Sequence, residues 1–386
     1  MKFAKWVING YDRKAAVALT HRGINPLVAV FLSARGYRTY EAACAILEND
    51  LSLLADPFLL RDMDKAVARI RRAVENRERV AIYGDYDVDG MTASCLLASY
   101  FRSKGLEYEI YIPERTEEGY GVNSAALDQL KRNGVSLVVT VDSGITAVEE
   151  AKYAREIGLD LIITDHHECK KTLPDALAVI NPKRPDCPYP NKGLSGVGVA
   201  FKLICALEKE TPIDVLFDQY GDFVAVGTVA DVMPVIGENR ILIRRGLAAL
   251  NRKNRPGLRS LIREACIDRR DVTVAIIGFV LAPRLNAAGR MGRTSLTVDL
   301  LLTEDEREAS VLTQELCALN SERKQIETAI FEEAQRQLMR NLPKGPIVLA
   351  GRGWFQGVMG IVAARITDQF LFPSVDRKST RLNSSH

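Results

Sequence analysis

The alternation of apolar and polar positions divides this chain into three stretches with different expected structure. Residues 1 to about 75 read as helical. Arg22-Gly23-Ile24-Asn25-Pro26 makes a turn into an apolar helix, and Arg61 to Arg77 carries an amphipathic helical pattern. From Val80 to about Ala200, short apolar runs alternate with helical stretches. That alternation predicts an α/β fold with an open, mostly parallel sheet and flanking helices joined by right-handed crossovers. Val80–Tyr83, Val135–Val141 and Leu159–Thr164 read as buried strands, and an amphipathic helix is expected over Met91 to Phe101. From Thr303 to Leu342 there is no Gly or Pro. Leu312, Leu316, Leu319, Ile326, Ile330, Ala334 and Leu338 recur there at helical steps, which predicts one long helix ending at Pro343. Pro346 to Ala350 then begins a new strand.

Each predicted strand runs into acidic residues. The first leads to Gly84-Asp85-Tyr86-Asp87-Val88-Asp89-Gly90, the second to Asp142-Ser143-Gly144, and the third to Asp165-His166-His167-Glu168. In an open α/β sheet the ligand crevice lies beyond the carboxyl ends of the strands, so these acids face a site. Taken alone, Asp-x-Asp-x-Asp-Gly is ambiguous: it imitates the start of a calcium loop without the closing Glu, and a solvated acidic turn would look the same. Convergence changes the balance. Two carboxylates about 4 Å apart repel by roughly 4 kcal/mol at an effective dielectric of 20, so gathering five on one sheet edge demands cations. Carboxylates mixed with imidazole favour Mn²⁺, Zn²⁺ or Fe²⁺, and Mg²⁺ can also occupy such sites. Of the four histidines, His21 lies in the helical preface and His386 is terminal, so half of the set sits in this one motif. On an extended backbone adjacent side chains point to opposite sides, so His166 and His167 are expected to have different jobs. Asp231 is embedded in the apolar run Val224 to Met233, where periodicity fits helix and strand alike. There it is either a metal ligand or a helix-end carboxylate satisfied by backbone amides.

Composition adds limits. A chain of 386 residues is too long for one core and suggests two or three domains. No apolar signal core follows Lys2 and Lys5, and no stretch is apolar enough to span a bilayer, so no membrane partner and a cytoplasmic location are expected. The seven widely spaced cysteines include no Cys-x-x-Cys pair, which argues against a disulfide framework or structural zinc. Arg240 to Arg270 holds ten Lys/Arg against Glu264 and Asp268, so this window carries +8 and leaves −5 for the rest. Such a window suits a polyanion or is simply a solvated helix face.

In order along the chain, Gly84 to Gly90, Val141-Asp142-Ser143-Gly144-Ile145, Asp165-His166-His167-Glu168 and Gly227-Thr228-Val229-Ala230-Asp231 resemble the four motifs of the DHH phosphoesterase superfamily. Asn181-Pro182-Lys183-Arg184, Leu194 to Ala200 and Pro283 to Met291 are similar to the RecJ branch, single-strand-specific 5′→3′ DNA exonucleases. The resemblance covers roughly residues 45 to 366. It implies a two-metal site for Mn²⁺ or Mg²⁺, with Asp87 on one ion, Asp89, His166 and Asp231 on the other, and Asp142 bridging. Asp85, Asp165 and His167 would act around the ligands or on the scissile phosphate. Single-stranded DNA would be the substrate, in recombination and repair, with a single-strand-binding protein and a helicase as expected partners.

Further expectations concern substrate contacts and organisation. Ser195, Gly196 and Gly198 precede an apolar helix, where backbone amides could meet a phosphate, although close helix packing explains the glycines equally. Asn286 and Arg290 are expected to touch the nucleic-acid backbone. The expected division is an N-terminal helical segment at 1–75, a DHH catalytic domain at 76–302, a connecting helix at 303–342, the start of an α/β DHHA1 domain at 343–375, and a non-native or disordered tail at 376–386. Phe355 stands where the family commonly has a polar residue, and the tail does not continue the pattern, as expected of a truncated frame or foreign junction. The Gly-rich motif of DHHA1 and the oligonucleotide-binding barrel would then be missing. Two alternatives stand beside the exonuclease: a DHH phosphodiesterase acting on short oligonucleotides, cyclic dinucleotides or nucleotide phosphates, and an inactive nucleic-acid-binding scaffold.

Overall fold

The computed structural model describes residues 10–47, 51–113, 121–267, 270–340 and 343–375. The tail expected at 376–386 lies outside the described residues, as does Asp268 of the basic window.

The helical preface comprises α1 (Arg13–His21), α2 (Pro26–Ala34), α3 (Tyr40–Leu47) and α4 (Met63–Asn76). The first three close over a small core of their own built on Leu19, Ala29 and Leu32. Helix α4 turns Ala66, Val67 and Ile70 into the main core.

Then β1 (Val80–Tyr83), α5 (Val88–Ser103), β2 (Tyr108–Tyr111), α6 (Ser124–Arg132), β3 (Leu137–Val141), α7 (Val148–Glu156), β4 (Asp160–Thr164) and β5 (Ala178–Ile180) form the sheet and its crossovers. All pairings are parallel, in the order β2-β1-β3-β4-β5. Most strands are predominantly apolar because both faces are covered, the exception being the edge strand β2, which contains Glu109 and is half-buried throughout. Val80 and Ile82 face one core, with α5 and the later helices, while Ala81 and Tyr83 face the other, with α6 and α7. From β1 the chain winds first to β2 and then back past β1 to β3. The crevice at this reversal of direction is where ligands bind in such sheets, and it opens between the ends of β1 and β3.

Two helices complete the walls of that crevice, α8 (Gly196–Leu207) and α9 (Ile213–Ala230). The run around Asp231, which periodicity left open, is therefore helix, and Asp231 caps its C-terminus. Next come α10 (Gly237–Asn251), α11 (Pro256–Glu264) and α12 (Val274–Ile276). A π-helical turn (Ile277–Leu281) joins α12 to α13 (Ala282–Arg290), and α14 (Thr294–Leu302) follows. The long helix is α15 (Glu306–Arg340). Its first half buries Ala309, Leu316 and Leu319 in the main core, and its second half buries Ile330, Ala334 and Leu338 in a separate one. That second core also holds Ile347 of β6 (Ile347–Val348) and Val358, Val362 and Ile366 of α16 (Gln356–Phe370), and β7 (Ser374–Val375) pairs in parallel with β6.

The basic window is spread over α10, α11 and their links, and most of it is paired inside the molecule. Arg245 meets Asp214, Arg252 meets Asp218, Arg255 meets Asp222 and Arg259 meets Glu306, while Arg240 and Arg244 donate to the carbonyls of Ile46 and Leu47. The partners come from remote parts of the chain and match four of the window's ten positive charges, while Arg244, Arg252, Arg263 and Arg270 remain exposed. Every cysteine is a free thiol. Among the described residues no helix is long and apolar enough to cross a membrane.

Candidate metal centre

The site begins with the turn between β1 and α5. Helix α5 starts at Val88, earlier than the apolar pattern indicates, so the three aspartates do not alternate along a strand. Asp85 lies in the turn, and Asp87 is the N-cap of α5, accepting from the Gly90 N–H at 3.1 Å. Asp89 sits in the first helical turn and is buried. This places three carboxylates at the positive end of a helix dipole.

Asp142 follows β3 with φ at +58°, a left-handed conformation that Asp tolerates better than most residues. Asp165 follows β4, and its carboxylate organises the turn after it. Oδ2 accepts from the Ile145 N–H at 2.8 Å, and Oδ1 accepts from the backbone N–H groups of His166 and His167 at 2.7 and 3.0 Å. Because the backbone curls round this carboxylate, it is not extended, and the two imidazoles do not point in opposite directions. Their ring centroids are 4.6 Å apart. Their environments nevertheless differ, with the His166 side chain 5% exposed and that of His167 45%.

His166 Nε2 is the hub. It lies 3.0 Å from Asp142 Oδ1, 3.6 Å from Asp231 Oδ2 and 3.8 Å from Asp89 Oδ2. Three donor sets overlap here: Asp85 with Asp87 and Asp142; Asp89 with His166 and Asp231; Asp142 with His166 and His167. Within each set the donor atoms lie within 4.8 Å of one another. Five of these buried atoms have no hydrogen-bond partner: Asp85 Oδ1, Asp142 Oδ1, Asp231 Oδ2 and both ring nitrogens of His166. Buried polar atoms are almost always satisfied, so a cluster of orphans fits a centre built for cations. The adjacent Ser143 hydroxyl is orphaned too, a feature no sequence pattern signals.

Electrostatics agree. Burial, then the neighbouring Asp87, pushes Asp85 up to about 7. Burial and the charge of Asp87 raise Asp231 to about 6. Asp89 and Asp142 are raised as well, by burial and then by Asp231 and Asp89 respectively. Burial lowers His166 to about 4, so its imidazole is neutral and keeps a lone pair for a cation. His167 is raised, chiefly by its hydrogen bond from Nδ1 to Asp165 Oδ1 at 2.8 Å. Asp165 is lowered, the His167 bond and charge outweighing its burial.

The residues expected to touch substrate are placed differently. Ser195 caps α8 through the Gly198 N–H and bonds the Thr228 hydroxyl, fully buried. The Gly196 and Val197 N–H groups donate to Asp89 Oδ2 and Oδ1 at 2.6 and 2.9 Å. The N-terminus of α8 therefore grips a carboxylate of the cluster, and the Gly196 and Gly198 amides are already occupied within the protein. Gly196 is required by packing, since a Cβ there would lie 2.5 Å from Asp142 Cβ. Asn286 Oδ1 accepts from the Val88 N–H at 3.2 Å, supporting the start of α5 from behind. Arg290 donates to the Gly357 carbonyl at 3.3 Å, so α13 touches the start of α16.

Comparison with known proteins agrees with this architecture. Residues 79–228 match the DHH family, N-terminal domain. The chain is 42% identical over 373 residues to the single-stranded-DNA-specific exonuclease RecJ of Bacillus subtilis, covering 96% of this chain and 47% of that protein. It is 38% identical over 367 residues to the protein of the same name from Escherichia coli, covering 91% of this chain and 63% of that one. The chain thus spans about half to two thirds of the length of these curated relatives. A crystal structure of exonuclease RecJ bound to manganese superposes with a TM-score of 0.74 at 36% identity, over 84% of this chain and 81% of that one. RecJ from Thermus thermophilus in complex with Mn²⁺ gives 0.77 at 33% identity, over 94% of this chain and 51% of that one. At 36% identity over four fifths of a solved RecJ chain, and with its DHH match, the chain belongs to the RecJ branch of the DHH family.

Proposed function

We propose that this chain is a metal-dependent phosphodiesterase that removes nucleotides from the 5′ end of single-stranded DNA. The carrying observation is the group of orphaned buried donors shared among three overlapping ligand sets at the strand ends. Two Mn²⁺ or Mg²⁺ ions fit these sets. Asp87 and Asp142, joined by Asp85, would hold one, and Asp89, His166, Asp231 and Asp142 the other. Asp85 is thus assigned to the ligands themselves, where the family resemblance placed it outside them. When bound, such a pair supplies Lewis-acid stabilisation of the attacking and leaving oxygens of an in-line displacement.

The chain's own residues orient that chemistry. The α8 amides fix both oxygens of Asp89, so its carboxylate is aimed before any ion arrives. Asp165 holds His167 by Nδ1 and favours its imidazolium, so the Nε2 proton is the one offered to a phosphate oxygen. The 5′→3′ polarity, a single-strand-binding protein and a helicase as partners, and a role in recombination and repair are part of this proposal and are supported by resemblance to the RecJ branch, and a cytoplasmic location is supported by the unpaired cysteines. The division into catalytic unit, connecting helix and partial second unit belongs to the same proposal and is supported by the two cores that α15 joins.

One observation favours a second reading, hydrolysis of short oligonucleotides or dinucleotides. Four of the ten cations of the basic window are matched by internal acids, which leaves less of its charge for a long polyanion. Digestion of 5′- and 3′-labelled oligonucleotides with Mn²⁺, beside a duplex control, separates the two. Loss of 5′ nucleotides from the single strand alone is expected. Cleavage of dinucleotides that long strands neither undergo nor compete with would establish the second reading instead.

A further inference from the structure

Among the described residues, the two most exposed large apolar side chains are Phe279, at 85%, and Val232, at 84%. They stand on adjoining segments. Val232 directly follows Asp231, and the π-helical turn that carries Phe279 packs on the end of α9, where Gly278 faces Val229. Both segments are unusual. Val232 has φ at +58°, a left-handed conformation that is a real outlier for a β-branched residue. Single π-helical turns within helices recur at functional sites. Scattered exposed apolar residues need no explanation, but two of this exposure, on two irregular segments beside one ligand cluster, do.

The helical rod that carries Phe279 also forms a wall of the crevice. Steps of three and four place Pro283, Asn286 and Arg290 on broadly one side of α13, and Phe279 lies on the π-helical turn just before it. Asn286 on that side reaches the Val88 N–H, and Arg290 reaches Gly357. Gly289 packs so closely on the Tyr86 carbonyl that a Cβ would collide with it. Phe279 stands seven residues before Asn286, on the turn that packs against the end of α9, the helix Asp231 caps.

We propose that Phe279, with Val232 beside it, is a stacking platform for a nucleobase of the bound strand. The inference rests on the nuclease reading and adds a way to recognise strandedness. A carboxylate and imidazole cluster sees only phosphates, which are alike in single strands and duplexes. An aromatic face accepts a base of any sequence, but only one whose own face is not already covered by a neighbour in a helix. A base stacked on an aromatic side chain contributes roughly 1–3 kcal/mol, which corresponds to about 5- to 150-fold in affinity.

The test uses the full chain, fluorescein-labelled oligo-dT and Ca²⁺ in place of Mn²⁺ to slow turnover. Phe279→Ala is expected to bind the oligonucleotide about 5- to 150-fold more weakly, with the Mn²⁺ calorimetric isotherm unchanged. Phe279→Trp is expected to bind like the parent and to show tryptophan quenching when oligo-dT is added. Unchanged binding by Phe279→Ala, with no quenching in Phe279→Trp, overturns the platform while leaving the nuclease reading intact. Absence of single-strand binding by the parent chain removes both. Concentration-dependent self-association abolished by Phe279→Ala would assign the patch to a second copy of the chain and also overturn it.

Discussion

At the scale of residues, the site is a set of carboxylates held close by groups that are not themselves ligands. Asp89 owes its aim to the Gly196 and Val197 amides, and α5 owes its position to Asn286. Asn286→Ala leaves the Val88 N–H without its acceptor. It is expected to weaken Mn²⁺ affinity about 10- to 100-fold, as measured by calorimetry, because supporting contacts of this kind typically carry that much. Protonation gives a second expectation. Asp231 at about 6 and Asp85 at about 7 still hold protons in that pH range, so a cation must displace them. Apparent Mn²⁺ affinity should rise with pH through this window, and calorimetry in buffers of different ionisation enthalpy should detect proton release. The sign for the metal-free protein is the reverse. Both carboxyls are raised above their unfolded values, so the folded state binds more protons. The resulting stability is fully present below about pH 4 and is lost as the pH climbs through the folded values. A pH-independent affinity would contradict the protonation states assigned here.

At the scale of elements, β1, β3, β4 and the long helix were legible because local pattern decides them. Those strands are mostly apolar and buried, and α15 contains no Gly or Pro. The half-buried β2, with Glu109 in it, and the three-residue β5 carry too weak a pattern to be read. Other features were not legible, because their causes lie far away in the sequence. Nothing near Asp231 reveals that its run is helical, and nothing near Gly196 reveals that Asp89 takes its amide. The histidine pair turned together because the Asp165 side chain competes for their backbone amides, a local effect that a strand template ignores. The basic window illustrates the same limit, since part of its charge is matched only once Asp214, Asp218 and Asp222 are brought alongside. Helix α15 allows a direct test of how the two cores are joined. Ile330→Ala removes a buried side chain from the second core and should cost about 2–5 kcal/mol there. Hydrogen exchange should show α16 and β6 opening faster while β1, β3 and β4 keep their protection and Mn²⁺ affinity is unchanged. Uniform loss of protection would mean that the cores unfold as one.

At the scale of the whole molecule, the sheet order, the reversal between β1 and β3, and the helices α8, α9 and α13 serve one arrangement: a crevice in which buried carboxylates are tolerable only with cations. Binding should therefore stabilise the main core that carries the crevice. Mn²⁺ at a hundred times its dissociation constant is expected to add about 2.7 kcal/mol to unfolding for each ion bound, read as a shift in the urea midpoint, and EDTA should reverse it. The most direct test of the central claim is Mn²⁺ calorimetry on the parent chain and on Asp142→Ala. Asp142 shares donor sets with both Asp87 and His166, so the parent should take up about two ions per chain, and the variant should lose binding at both positions together. An isotherm for Asp142→Ala that matches the parent's in stoichiometry and affinity would contradict the account, because the cluster would then not be what holds the metal.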